Sequence, residues 1–282
     1  MSAQREQLSE YRVRARNIAT DSENKIHDDH VAAEFGFGGG LVPGVAVYAY
    51  MTVPLVERFG LDWLEHGAIK VRFRRPFYEG QEVIVKAESG IEDSTTKIDI
   101  TASREDGELC ATALASIPFG INENSGRGTI AKEFQDRPMP SPEFRLAAER
   151  SSLVPGTALG TIVEKLDLAN HQQTVLREIQ ERLSCYFGPK AVPHPIITLS
   201  LANHILMQNV ALGPWIHSSS EVEHYSLACD GDPITVRGRI TECFERNGND
   251  LVVLDLLLSA ANRPISRVSH SAIYRIRKAA SG

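Results

Sequence analysis

Several absences narrow this 282-residue sequence before any motif does. It has only four cysteines, Cys110, Cys185, Cys229 and Cys243, and none stands in CxxC or zinc-type spacing. They read as free thiols of a reducing compartment. There is no long basic run, and the net charge is −6. That argues against nucleic acid as the main partner, because phosphate contacts need clustered Lys and Arg. No uninterrupted apolar run reaches the ~18 residues of a membrane span. The opening 'MSAQREQLSEYRVRAR' is too polar for a secretory signal, so a soluble cytoplasmic protein is expected. Apolar residues make up 42%, enough for a real core, and the length suits one large or two small domains.

What is present is a pattern that occurs twice. 'FGGGLVPG', Phe37 to Gly44, aligns with 'FGPKAVPH', Phe187 to His194, about 150 residues on. An apolar helical segment follows each, predicting helices near 43–59 and 194–210. The second is apolar on nearly every face, with Ile196, Ile197, Leu199, Leu201, Ile205, Leu206 and Val210, so it must be buried. Strand-like alternation follows in both halves. 'EGQEV' and 'DGDPI' are predicted as matching hairpin turns with a left-handed glycine. The fold expected is α+β. Two antiparallel sheets each wrap a long central helix and join edge to edge, which covers edges that one half would expose. The halves are 1–120 and 151–282. A Gly-, Pro- and charge-rich linker, 121–150, lies between them.

The stretch 'ENKIHDDHVAAEFGFGGGLVPG', Glu23 to Gly44, has two readings. In one, the acids cap a short helix, the glycines form a loop and the histidines are solvated. In the other, His27 is a general base and the turn delivers a helix N-terminus to a reacting carbonyl. Imidazole suits proton exchange near neutral pH. Free N–H groups at a helix start stabilise a developing oxyanion. His30 is expected to be solvated or capping, and Asp28 and Asp29 to be helix-start acids. His194 is expected in the core or an interface, and His204 as a satisfied core group on the apolar helix.

The layout, taken with Ser22-Glu23-Asn24-Lys25-Ile26-His27, the following Gly36-Phe37 and the helix-opening Val42-Pro43-Gly44-Val45, resembles the double-hot-dog form of MaoC-like proteins. Their best-known members are (R)-specific enoyl-CoA hydratases with the motif Asp-x-Asn-Pro-x-His. The layout covers nearly the whole chain and the motif about its first quarter. Asn24 and His27 match the motif, whereas Ser22 stands at its Asp and Lys25 at its Pro. The resemblance implies a hydro-lyase acting on 2-enoyl or (3R)-hydroxyacyl thioesters in fatty acid or polyketide metabolism. It implies no metal or redox cofactor, with coenzyme A or phosphopantetheine entering as part of the substrate. The implied catalytic group is His27 with Asp21 or Glu23, flanked by Ser22 and Asn24. The implied substrate contacts are Gly40, Gly44, Tyr48, Arg72 and Arg74.

Lys70, Arg72 and Arg74 share one strand face and could meet coenzyme A phosphates, or form a solvated outer face. Tyr48 and Tyr50 could line an acyl pocket or simply pack. The second half lacks the motif. Its central helix offers Ser200, Asn203, His204 and Gln208 but no acid, so scaffold or acyl-chain wall is expected there. Ser22 keeps two alternatives open: a non-catalytic acyl-thioester binding or scaffold protein, and a thioesterase. An acyl thioester is the implied partner, and a homodimer is left open.

Overall fold

A computed structural model describes residues 5–93, 95–118, 130–261 and 263–277. Two short strands, β1 (Glu6–Gln7) and β2 (Tyr11–Arg14), open the chain. A 3-10 turn, Lys25–His27, then leads into helix α1 (Asp29–Glu34) and the long helix α2 (Gly44–His66). Four strands follow: β3 (Ala68–Phe73), β4 (Glu82–Glu92), β5 (Thr95–Arg104) and β6 (Leu109–Pro118). The second half adds β7 (Leu146–Ala147), β8 (Ile162–Lys165), α3 (Leu168–Thr174), α4 (Ile196–Asn209) and β9 (Val210–Ala211). It ends in β10 (Ile216–His224), β11 (Pro233–Arg246), β12 (Asn249–Ala260) and β13 (Arg263–Arg275).

Eleven strands form one sheet in the order β1-β4-β5-β6-β3-β10-β13-β12-β11-β8, with β2 also on β4. Its inter-strand pairings are all antiparallel. The halves join where β3 meets β10, with Arg72 opposite Ser219 and Ile69 opposite Val222. This is the predicted edge-to-edge join, and it converts two exposed edges into interior strands. Both predicted helices are present and buried. α2 carries an unbroken buried run from Val45 to Val56, and α4 buries Ile196, Leu199, Leu201, Ile205 and Leu206. α2 packs on β4, β6 and β10, and α4 on β11, β13 and α2. α2 outlasts its predicted end at 59, but Gly60 (φ 58) interrupts the helix there.

Two expectations are corrected. Gly80 (φ 77) and Gly231 (φ 79) do take left-handed conformations. The strands that they join are nevertheless not hairpins. β3 lies between β6 and β10, while β4 pairs with β1, β2 and β5. The seam uses the edges of β3 and β10 that a hairpin would need. The predicted linker 121–150 lies partly outside the described residues. From residue 130 onward the chain is docked on the second half. Phe134 is buried beneath the guanidinium groups of Arg239 and Arg267, 5.1 and 5.7 Å from its ring centroid. β7 pairs with β9. Among the described residues no helix is long and apolar enough to cross a membrane.

Candidate active site

The loop before α1 is held from both halves of the protein. Asn24 is almost fully buried, and its side chain makes a two-way bond to the backbone of Trp215, just ahead of β10. Its Oδ1 accepts from the Trp215 N–H at 3.1 Å, and its Nδ2 donates to the Trp215 carbonyl at 3.0 Å. Oδ1 also accepts from the Ile26 N–H at 3.3 Å, so the amide orientation is fixed by its partners. Asn24→Ala would leave a buried N–H and carbonyl unpaired at the joint between the halves. The expected loss is roughly 2–6 kcal/mol, from ~1–3 per orphaned group, read from urea unfolding.

The same bonds define His27. Its Nδ1 lies 2.7 Å from the Leu41 carbonyl, which can only accept, so Nδ1 carries the proton. The remaining nitrogen, Nε2, is then a lone pair, with the Asn24 Nδ2 donor 3.4 Å away. Burial pushes the imidazole below its ordinary value of 6.5, and the Leu41 bond opposes this in part. His27 is therefore a neutral imidazole at neutral pH.

The glycine turn is built around this histidine. The Gly40 N–H donates to Asp29 Oδ1 at 2.7 Å, and Asn17 Nδ2 donates to the His27 carbonyl at 2.8 Å. A Cβ on Gly40 would sit 2.1 Å from that carbonyl oxygen, a backbone atom that cannot swing aside. Gly40→Ala is expected to displace the loop, lowering both the melting temperature and any activity, as measured by differential scanning calorimetry with a parallel assay. Gly40 also lines the open cleft described below.

α2 begins at Gly44 with no side-chain cap. The Pro43 carbonyl accepts from Ala46 and Val47 at 2.9 and 3.3 Å, and the N–H groups of Gly44 and Val45 have no partner among the described residues. They are the free donors of a helix start. A Cβ on Gly44 would lie 3.0 Å from His217 Nδ1 and from the Phe73 ring. Glycine here thus admits the seam side chains as well as leaving room at the helix end.

Two cavities meet at His27. An open cleft of about 1120 Å³ runs past Asp21, Ser22, Gly38–Gly40 and Tyr78 to Ser200, His204 and Met207 of α4. A smaller pocket of about 210 Å³ is walled by Phe37, Val47, Phe73, Phe77, Ile216 and Ile273. Asn24, His27, Pro43, Asn203 and Trp215 line both.

The other expected site residues fall as follows. Ser22 accepts from the Asn24 N–H at 3.1 Å, so its hydroxyl shapes the loop. Asp21 is exposed on the cleft wall, and Glu23 turns to Arg145 at 3.8 Å. Among the described residues no carboxylate hydrogen-bonds or ion-pairs with His27. Asp28 caps α1 by accepting from His30 and Val31, as the capping reading has it. Tyr48 is fully buried and lines neither cavity, so it packs. Arg72 lies on the sheet's exposed side beside Lys70, which pairs with Glu221, whereas Arg74 and Arg75 line the apolar pocket. The basic face is therefore divided, because only the residues beyond the strand end turn toward the site.

His194 is fully buried, as expected of a core histidine. His204 is not a core group: it pairs with Glu164 at 2.5 Å on the cleft wall. Sequence reasoning missed Trp215 and His217. A bulge in β10 between His217 and Ser219 breaks the alternation, so His217 and Ser220 share a face. His217 Nε2 meets Ser220 Oγ at 2.8 Å, and Ser220 Oγ meets His270 Nδ1 at 3.1 Å. No local sequence signal marks that bulge.

Two antiparallel half-sheets fused at a seam, each around a buried helix, define the double hot-dog class, and this is the fold of MaoC-like proteins. No family model and no curated protein sequence matches the chain. Solved structures do. A candidate MaoC domain dehydratase from Chloroflexus aurantiacus J-10-fl superposes with a TM-score of 0.68 at 10% identity, over 98% of this chain and 95% of that one. A hypothetical protein from Mycobacterium tuberculosis with a double hot-dog fold gives 0.60 at 12%, over 97% and 96%. An acyl-ACP thioesterase from Bacteroides thetaiotaomicron gives 0.50 at 11%, over 94% and 97%. At these identities the likeness is one of fold.

Proposed function

We propose that the protein is a hydratase or dehydratase of 2-enoyl and 3-hydroxyacyl thioesters carried on coenzyme A or an acyl carrier protein. The observation that carries this reading is the placement of His27. Its one free nitrogen stands where a polar cleft and an apolar pocket meet, in a wall that also holds the start of α2. The acyl group would enter the apolar pocket and the pantetheine arm would follow the cleft. Thioester oxygen would face the free N–H groups of Gly44 and Val45, which stabilise the enolate. Water would lose a proton to His27 Nε2 as its oxygen bonds to C3. The imidazolium would then return that proton to C2. One nitrogen serves both transfers, so no second acid is required, and the reverse sequence expels water from a hydroxyacyl thioester.

The absence of a carboxylate on His27 among the described residues favours one second reading. A thioesterase would direct the activated water to the thioester carbon. The two are separated by a paired assay with 2-butenoyl-CoA. Loss of enoyl absorbance without thiol release is the expected result; thiol release at the same rate as substrate loss would establish the thioesterase. Binding with neither change would leave a non-catalytic acyl-thioester binding protein.

A further inference from the structure

We infer that Asn203, on the central helix of the second half, is a substrate-positioning residue that holds the oxygen at C3 of the thioester against His27. That oxygen belongs to the attacking water in hydration and to the hydroxyl in dehydration. The inference rests on the hydratase reading and adds to it a residue from the half without the motif.

Asn203 stands half-buried on the face of α4 that lines both cavities, where a carboxamide whose oxygen is shielded from water calls for a partner or a ligand. Asn203 has no hydrogen-bond partner among the described residues, and its Oδ1 is buried. Exchanging the amide oxygen and nitrogen would not change this, because neither end is engaged. Its neighbour His204 is occupied by Glu164 at 2.5 Å. Five residues line both cavities, and the chemistry of most of them is already committed. Asn24 is consumed by the Trp215 backbone, and Pro43 has no donor. His27 Nε2 and the Asn203 amide are left, together with the Trp215 indole N–H, which is buried without a partner.

Attack at C3 requires a water whose lone pair points at carbon while one O–H points at the base. An imidazole fixes only one of these directions, and a carboxamide lining the same two cavities would fix a second. The amide does not titrate in this range, so the proton still passes from water to His27 and on to C2. Oxygen ends on C3, and no other reactant is consumed.

The test is hydration of 2-butenoyl-CoA across pH by the full chain, comparing Asn203→Leu, Asn203→Ser and Asn203→Asp with the parent. Asn203→Leu is expected to lower kcat on the order of 10²-fold, as for a misplaced reactant, with a smaller change in KM and the acid limb unmoved. Asn203→Asp puts a carboxylate into the cavity wall shared with His27, which would favour imidazolium, and is expected to move the acid limb of kcat/KM to higher pH. That shift reports that position 203 faces His27, and the kcat-against-KM split in the Leu and Ser variants reports that the amide positions the reactant. Thermal melts identify variants that do not fold, and the near-isosteric Asp and Ser variants carry the comparison if the Leu variant does not. An unmoved limb in Asn203→Asp, or parental kcat in the Leu and Ser variants, overturns the inference and leaves the hydratase reading standing. A parent protein that leaves 2-butenoyl-CoA unchanged overturns both.

Discussion

His27→Ala lowers turnover of the best enoyl thioester by ~10²–10⁴, the usual cost of removing a general base, while affinity for a saturated acyl-CoA changes only slightly. The asymmetry follows from the geometry. Among the described residues the Nε2 lone pair has one partner, the Asn24 amide at 3.4 Å, a long bond that a ligand proton can displace. In the proposed binding mode the acyl and pantetheine contacts would fall on other residues of the two cavities. His27→Gln separates chemistry from packing, because it fills similar space without a basic nitrogen. Burial holds His27 below the ordinary imidazole value, so its neutral form, the one the proposal needs, predominates at pH 7. kcat/KM should therefore rise with pH through a value below 6.5 and stay level across neutrality. Steady-state kinetics from mildly acidic to neutral pH, with isothermal titration of the saturated analogue, reads both effects. Full activity in both variants would return the stretch to a capped loop.

The second large effect is acid instability. His224 and His270 are buried, and burial pushes them down to about 4 and about 3. His194 and His217 are pushed well below the ordinary value, by burial first and a neighbouring histidine second. The unfolded chain takes up protons near 6.5, whereas the fold resists until its depressed values are reached. Stability is thus complete above about 6.5 and falls as pH drops, because the unfolded state binds more protons there. For His224 alone the loss by pH 4 is about 3 kcal/mol, at ~1.4 per unit, against a typical total of 5–15. Glu181, its carboxyl raised chiefly by burial, and His204, its imidazole raised chiefly by the bond to Glu164, work in the opposite sense, but His27 and His171 are lowered by burial as well, so two groups stand against six. Urea unfolding at pH 7 and pH 5 should show a marked drop. His224→Phe, which keeps a ring against Trp63, should flatten the pH slope; an equal slope would remove His224 from this set.

The two-half layout was legible because two apolar helices after matching turns leave few ways to bury themselves. His27, the glycine turn and the helix start were legible as a local order along the chain. Strand neighbours were not: alternation reveals which face a residue occupies, and nothing about β3 pairing with β10 in place of a hairpin with β4. The role of Asn24 was hidden for the same reason, since its partner Trp215 lies 191 residues away. The expectation of a carboxylate from Asp21 or Glu23 came from neighbours in sequence. In the structure one is exposed on the cleft wall and the other faces Arg145. The polar positions 203 and 204 were visible on an apolar helix, but their exposure to the cleft depends on how the halves meet.

The central claim is that water adds at C3 of a thioester held between the two halves. Incubation of the protein with 2-butenoyl-CoA in ¹⁸O-labelled water, followed by mass spectrometry of the acyl-CoA and of any free acid, tests it most directly. The expected product is intact 3-hydroxybutyryl-CoA carrying the label on its C3 hydroxyl, formed by the parent and not by His27→Ala. Label in a released carboxylate with free coenzyme A, or no incorporation at all, would contradict it.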